Sequence, residues 1–107
     1  MKKLFALFIL LISTATNAVV IYQRGVTMTQ INAYDNIATI GAYIYLSENH
    51  TSCPRGAYLN PEAVNYNSLY STVLSAFMAE KTVDFQMYDD RVESGRCEVN
   101  AVWVFAN

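Results

Sequence analysis

The chain has 107 residues, 53% of them hydrophobic, and sets nine carboxylates against seven Lys and Arg, for a formal net charge of −2. Two of those seven, Lys2 and Lys3, sit in a leader; without them five cations face nine carboxylates, and this balance of −4 repels phosphate backbones and argues against nucleic acid as a partner. With two cysteines and one histidine, good zinc ligands are too few, and neither a metal nor a cofactor is expected.

In chain order, Met1-Lys2-Lys3, the apolar run Leu4 to Ile12 and the small-residue pattern Thr16-Asn17-Ala18 read as a secretory signal with cleavage after Ala18. The run is too short to span a membrane as a helix, and no cysteine follows it to carry a lipid. Residues 1–18 are therefore expected to be the signal peptide. Residues 19–107 are expected to form one small domain, periplasmic or secreted, near the lower size limit for a single core.

Val19 to Ala33 is rich in Val, Ile, Thr, Tyr and Met and reads as a long first strand bent at Gly25. Tyr34-Asp35-Asn36 is the expected turn. In the second strand, Ile37 to Leu46, Ile40, Ala42, Ile44 and Leu46 share one face, while Tyr43 and Tyr45 project from the other. A polar loop follows, then Cys53-Pro54-Arg55-Gly56, and then a short strand around Ala57-Tyr58-Leu59.

A helix is expected from Tyr66 to Glu80, entered through a cap at Asn60 or Asn65. Tyr66, Leu69, Tyr70, Val73 and Phe77 recur at the spacing of a buried helical face. Ser68, Ser71, Thr72, Ser75 and Ala79 occupy the opposite arc, which has neither charge nor bulk. That arc is expected to be the interface of a homo-oligomer; the alternative is small polar residues facing water in a monomer. Thr82 to Tyr88 then alternates, with Val83, Phe85 and Met87 inward. Asp89 to Arg96 reads as a charged loop. In the last strand Val99, Ala101, Trp103 and Phe105 form one face and Val102 and Val104 another, so it is expected to be covered on both sides.

Three strands, a helix and two strands make a mainly β domain in the element order of the five-stranded OB barrel. An open sheet with the helix across one face is the competing architecture. In the barrel the third and fifth strands are parallel neighbours, which brings Cys53 and Cys97 to one end within disulfide reach. An exported chain favours the bridge, and closing a loop of this length implies about 4 kcal/mol of stabilisation in the chain-entropy account.

No catalytic residue is expected. His50 lacks an orienting carboxylate and a nucleophile, and Asp89, Asp90 and Glu93 read as turn charges whose spacing fits no calcium loop. Asn49-His50-Thr51 is formally a glycosylation sequon. The eight tyrosines carry more information: Tyr43, Tyr45 and Tyr88 lie on outward strand faces, where flat amphipathic rings stack on a sugar or a partner protein. Cross-strand packing between neighbouring rings is the alternative.

Several of these pieces together resemble a known family. Asn67-Ser68-Leu69-Tyr70-Ser71, Ala76-Phe77, Lys81-Thr82-Val83, the Cys-Pro-x-Gly at Cys53–Gly56 and a cysteine shortly before a Val- and Trp-containing last strand resemble the B subunit of subtilase cytotoxin and related small exported bacterial proteins. Glu80 departs from the pattern, standing where that group has glycine. The resemblance implies an OB barrel, export, ring assembly and glycan binding. The function expected is an exported, non-enzymatic binding module that recognises a glycan or a protein surface; the alternative is a periplasmic structural or adaptor protein with no small-molecule ligand.

Overall fold

Gly25 and Thr27 divide the expected first strand in two. The computed structural model describes residues 19–37 and 40–106, and the expected signal peptide, residues 1–18, lies outside them. Within the described residues the elements are β1 Val20–Val26, β2 Met28–Ile37, β3 Ile40–Leu46, β4 Ala57–Leu59, α1 Tyr66–Met78, β5 Val83–Glu93 and β6 Arg96–Val104. The described residues are mainly β with one helix. Its strands form a six-stranded sheet in the order β1-β5-β6-β4-β3-β2, so the count exceeds the expected five by the division at Thr27. At that division, Thr27 accepts a bond from the Ser47 amide at 2.9 Å and its own amide donates to Ser47 Oγ at 3.1 Å.

Bulges account for the other differences from expectation. An irregularity between Ala33 and Ile37 lets β2 continue to Ile37, opposite Ile40, so Tyr34-Asp35-Asn36 belongs to the strand and is not a turn. The Tyr34 ring meets Tyr43 edge-on at 5.0 Å. The expected charged loop at 89–96 is mostly hairpin: Glu93 pairs with Arg96 across Ser94-Gly95, whose φ values of 53° and 82° match the left-handed two-residue turn that follows strand twist. In β6, Gln86 faces Ala101 but Met87 faces Val99, leaving Asn100 as the extra residue. One extra residue inverts the alternation. Val99 and Val102 therefore both turn toward the core, while Trp103, Val104 and Phe105 stay 45%, 41% and 44% exposed. The end of the last strand is thus not covered on both sides.

The core lies between the helix and one face of the sheet. Period-2 alternation delivers Ala42 and Ile44 from β3 and Val83, Phe85 and Met87 from β5, all fully buried. Leu59, Val99, Val73 and Ala76 complete it, with Tyr66, Leu69, Tyr70 and Phe77 packed around them. Burying a side chain such as Phe85, Ile44 or Leu59 stabilises by about 1.5–3 kcal/mol each. The helix starts after Asn65 and closes with a Schellman motif: Lys81 N–H donates to Ala76 O at 3.0 Å and Glu80 N–H to Phe77 O at 3.1 Å.

Cys53 and Cys97 form a disulfide with a Cα–Cα distance of 5.5 Å. Their approach follows from the parallel pairing of β4 on β6, in which Ala57 faces Cys97 and Tyr58 faces Glu98. Gly56 makes this junction. Its φ is +108°, and a Cβ there would run into the Ile44 carbonyl oxygen, so the last position of Cys-Pro-x-Gly admits only glycine.

Candidate functional site

The face of the sheet away from the core carries a row of polar and aromatic side chains set by register: Asn32 faces Tyr43, Tyr43 faces Tyr58, Tyr58 faces Glu98, and Glu98 faces Tyr88. Two arginines divide this row into two clusters.

In the first, Arg96 is 3% exposed. Its guanidinium lies 3.7 Å from the Tyr43 ring centroid and 5.4 Å from that of Tyr45. Nη2 donates to Tyr45 Oη at 3.1 Å and Nη1 to Ser94 O at 3.4 Å, while Nε is buried without a partner. Tyr45 Oη also accepts from Asn32 Nδ2 at 3.4 Å. Tyr43 and Tyr45 therefore hold a buried cation, an arrangement that favours charge over an aromatic face.

In the second, Glu98 is 4% exposed. Tyr58 Oη donates to its Oε1 at 3.4 Å, Asn60 Nδ2 to the same oxygen at 3.3 Å, and Arg91 Nη1 to Oε2 at 3.5 Å. Arg91, with its side chain half exposed, lies 4.3 Å over the Tyr88 ring. Burial, then the carboxylates of Glu98 and Glu93, push the Tyr58 hydroxyl well above the usual tyrosine range, so it stays a donor. Beside this cluster opens a depression of about 410 Å³ lined by Asn60, Leu69, Tyr88, Arg91, Glu98 and Asn100. The Asn100 bulge brings an amide to its edge, and the Oδ1 of that amide is buried without a hydrogen-bond partner.

Of the three tyrosines expected to bind ligand, Tyr88 lines this depression. Tyr43 and Tyr45 do not, because three strand spacings, roughly 14 Å, separate Tyr43 from Tyr88 along the row. Asn60, Arg91, Glu98 and Asn100 were not singled out from sequence. No local signal marks them: Glu98 reads as an ordinary outward charge in a strand that also carries Arg96 and Asn100.

The remaining candidates fall elsewhere. His50 Nδ1 accepts the Ser52 amide at 3.0 Å, which ties the ring into its own loop. Asp89, Asp90 and Glu93 lie on β5, and among the described residues no group of three or more His, Cys, Asp or Glu could hold a metal. Ser68, Ser71, Thr72 and Ser75 on α1, and Ala79 at its C-cap, are all exposed. A shallow trough of about 460 Å³ runs between that arc and Lys81 and Val104, beside exposed Leu74 and Met78. No described helix is long and apolar enough to cross a membrane. The chain matches no protein-family model, no curated protein and no solved structure, so the functional reading rests on the chemistry of the site.

Proposed function

We propose that this protein is an exported, non-enzymatic binding module that recognises a glycan through the depression beside Glu98. The observation that carries the reading is its lining: planar amides of Asn60 and Asn100, the Glu98 carboxylate and the Arg91–Tyr88 stack converge on one concavity. Amides, carboxylates and an aromatic edge are the groups that hold a polyhydroxylated ligand, because each hydroxyl both donates and accepts. Arg91 is already engaged with Glu98, which supports binding over phosphate recognition.

The architecture belongs to the same proposal. The sheet is open, with β1 and β2 at its two edges; counting these two as one bent strand gives the order first, fourth, fifth, third, second, which supports the strand circuit of an OB barrel. That circuit and the motifs around Cys53 and the helix support a B-subunit-like module resembling that of subtilase cytotoxin. The leader and the Cys53–Cys97 bridge support export. We further propose a ring of identical subunits meeting through the small-residue arc of α1.

A glycan array with the oxidised protein, repeated with Arg91→Ala and Asn60→Ala, tests the function. Binding to one or a few glycans, lost in both variants, is the expected result. Uniform silence on the array, with a protein partner captured by crosslinking, would move the assignment to an adaptor.

A further inference from the structure

We infer that the depression is built for an uncharged, hydroxyl-rich sugar, with Glu98 accepting one of its hydroxyls. This rests on the depression being a glycan site, as proposed above.

Glu98 is a buried carboxylate with three donors, at 3.3, 3.4 and 3.5 Å, whereas a charge-assisted hydrogen bond normally closes to about 2.7–2.9 Å. Its Oε2 has Arg91 alone. A charge withdrawn from water needs close donors to offset the loss of hydration, and here all three stand back. Asn100, which also lines the depression, has a buried Oδ1 without a hydrogen-bond partner, a second acceptor short of a donor. Both deficits are of donors. A ligand that completes the site therefore brings O–H or N–H groups to the Glu98 end.

Charge decides which donor. Arg91, the one cation among the described residues that line the depression, is paired with Glu98 and lies over Tyr88. A sugar bearing a carboxylate would set a second negative charge near Glu98 and Glu62 and would have to draw Arg91 away from its pair. A protonated amine would meet the Arg91 guanidinium. A neutral hydroxyl avoids both: it donates to Glu98, accepts from Arg91 or the Asn60 amide, and leaves the ion pair intact.

The test is a heteronuclear NMR titration of the disulfide-bonded protein with the methyl glycosides of glucose, galactose and mannose and with the three matching methyl uronosides at neutral pH. At least one neutral glycoside should shift the resonances of Asn60, Tyr88 and Asn100, and its uronoside should bind about tenfold more weakly, as like charges in one site oppose each other. In Glu98→Gln that preference should collapse, because the repelling charge is gone. A uronoside that shifts the same resonances at equal or higher affinity overturns the inference and leaves the depression a sugar site. Silence of all six ligands at those resonances overturns the glycan reading together with the inference. The comparison of neutral and acidic sugars is made on the unmodified protein, so it stands even if Glu98→Gln does not fold.

Discussion

Tyr58 is where a single side chain couples the fold to pH. Its hydroxyl is buried and faces Glu98 with Glu93 nearby, and both burial and these carboxylates raise its pKa. The folded protein therefore keeps a proton that the unfolded chain releases near pH 10, the ordinary value for tyrosine. Stability from this group is fully present below that pH and falls above it, by up to about 1.4 kcal/mol per pH unit. Tyr66, raised in the same direction by burial and by Tyr70, adds to the fall. In Tyr58→Phe the group does not titrate, so the urea midpoint should decline less steeply above about pH 10 than in the parent protein. Parallel declines would show that Tyr58 does not contribute.

At the scale of elements, the end of the helix carries a testable oddity. Glu80 has φ of +54°, in the position of the Schellman motif that glycine usually fills. The left-handed conformation costs a residue with a Cβ about 1–2 kcal/mol. Glu80→Gly and Glu80→Ala both remove the carboxylate, so their difference isolates the backbone. Glycine should be the more stable of the two by about 1 kcal/mol by chemical denaturation, after its greater unfolded-state entropy is allowed for. Equal stabilities would mean that the helix end relaxes out of this geometry when Glu80 is replaced. The elements themselves were largely legible in the sequence, because strict alternation at Ile40–Leu46 and Val83–Met87 and the helical spacing of Leu69, Val73 and Phe77 report burial directly. The bulges were not. A single extra residue such as Asn100 leaves no mark in composition, yet it turns Val102 inward and leaves Trp103 outside. The site was legible only at Tyr88. Glu98 reads as an outward charge, and what buries it is the parallel neighbour β4, which supplies Tyr58 and the Asn60 that follows; pairing across 40 residues is not written in local pattern.

At the scale of the whole molecule, the prediction concerns assembly. The arc of Ser68, Ser71, Thr72, Ser75 and Ala79 is exposed, and its side chains are small enough for another helix to approach closely. Leu74, Met78 and Val104 beside it are 43%, 72% and 41% exposed, apolar surface that a second copy would cover. Light scattering at micromolar concentration should give an oligomeric mass. Ser71→Glu with Ser75→Glu should reduce it to that of the monomer by forcing like charges together, while far-UV circular dichroism stays unchanged. A monomeric mass for the unmodified protein would reject the ring.

The placement of the disulfide has a consequence for the order of events during synthesis. During synthesis Cys53 emerges 44 residues ahead of Cys97, and in the interval the chain delivers β4, the helix and β5. Throughout that interval Cys53 is an unpaired thiol, exposed to capture by a small-molecule disulfide or by a sister chain. Its proper partner arrives only with the β5–β6 hairpin, and Glu98 is the next residue to appear. Glu98, the acceptor of the proposed site, is thus delivered in the same step as the thiol that locks β4 against β6. Oxidation of Cys53 with any other thiol before Cys97 emerges would leave β4 and β6 without the covalent tie that joins them in the folded protein.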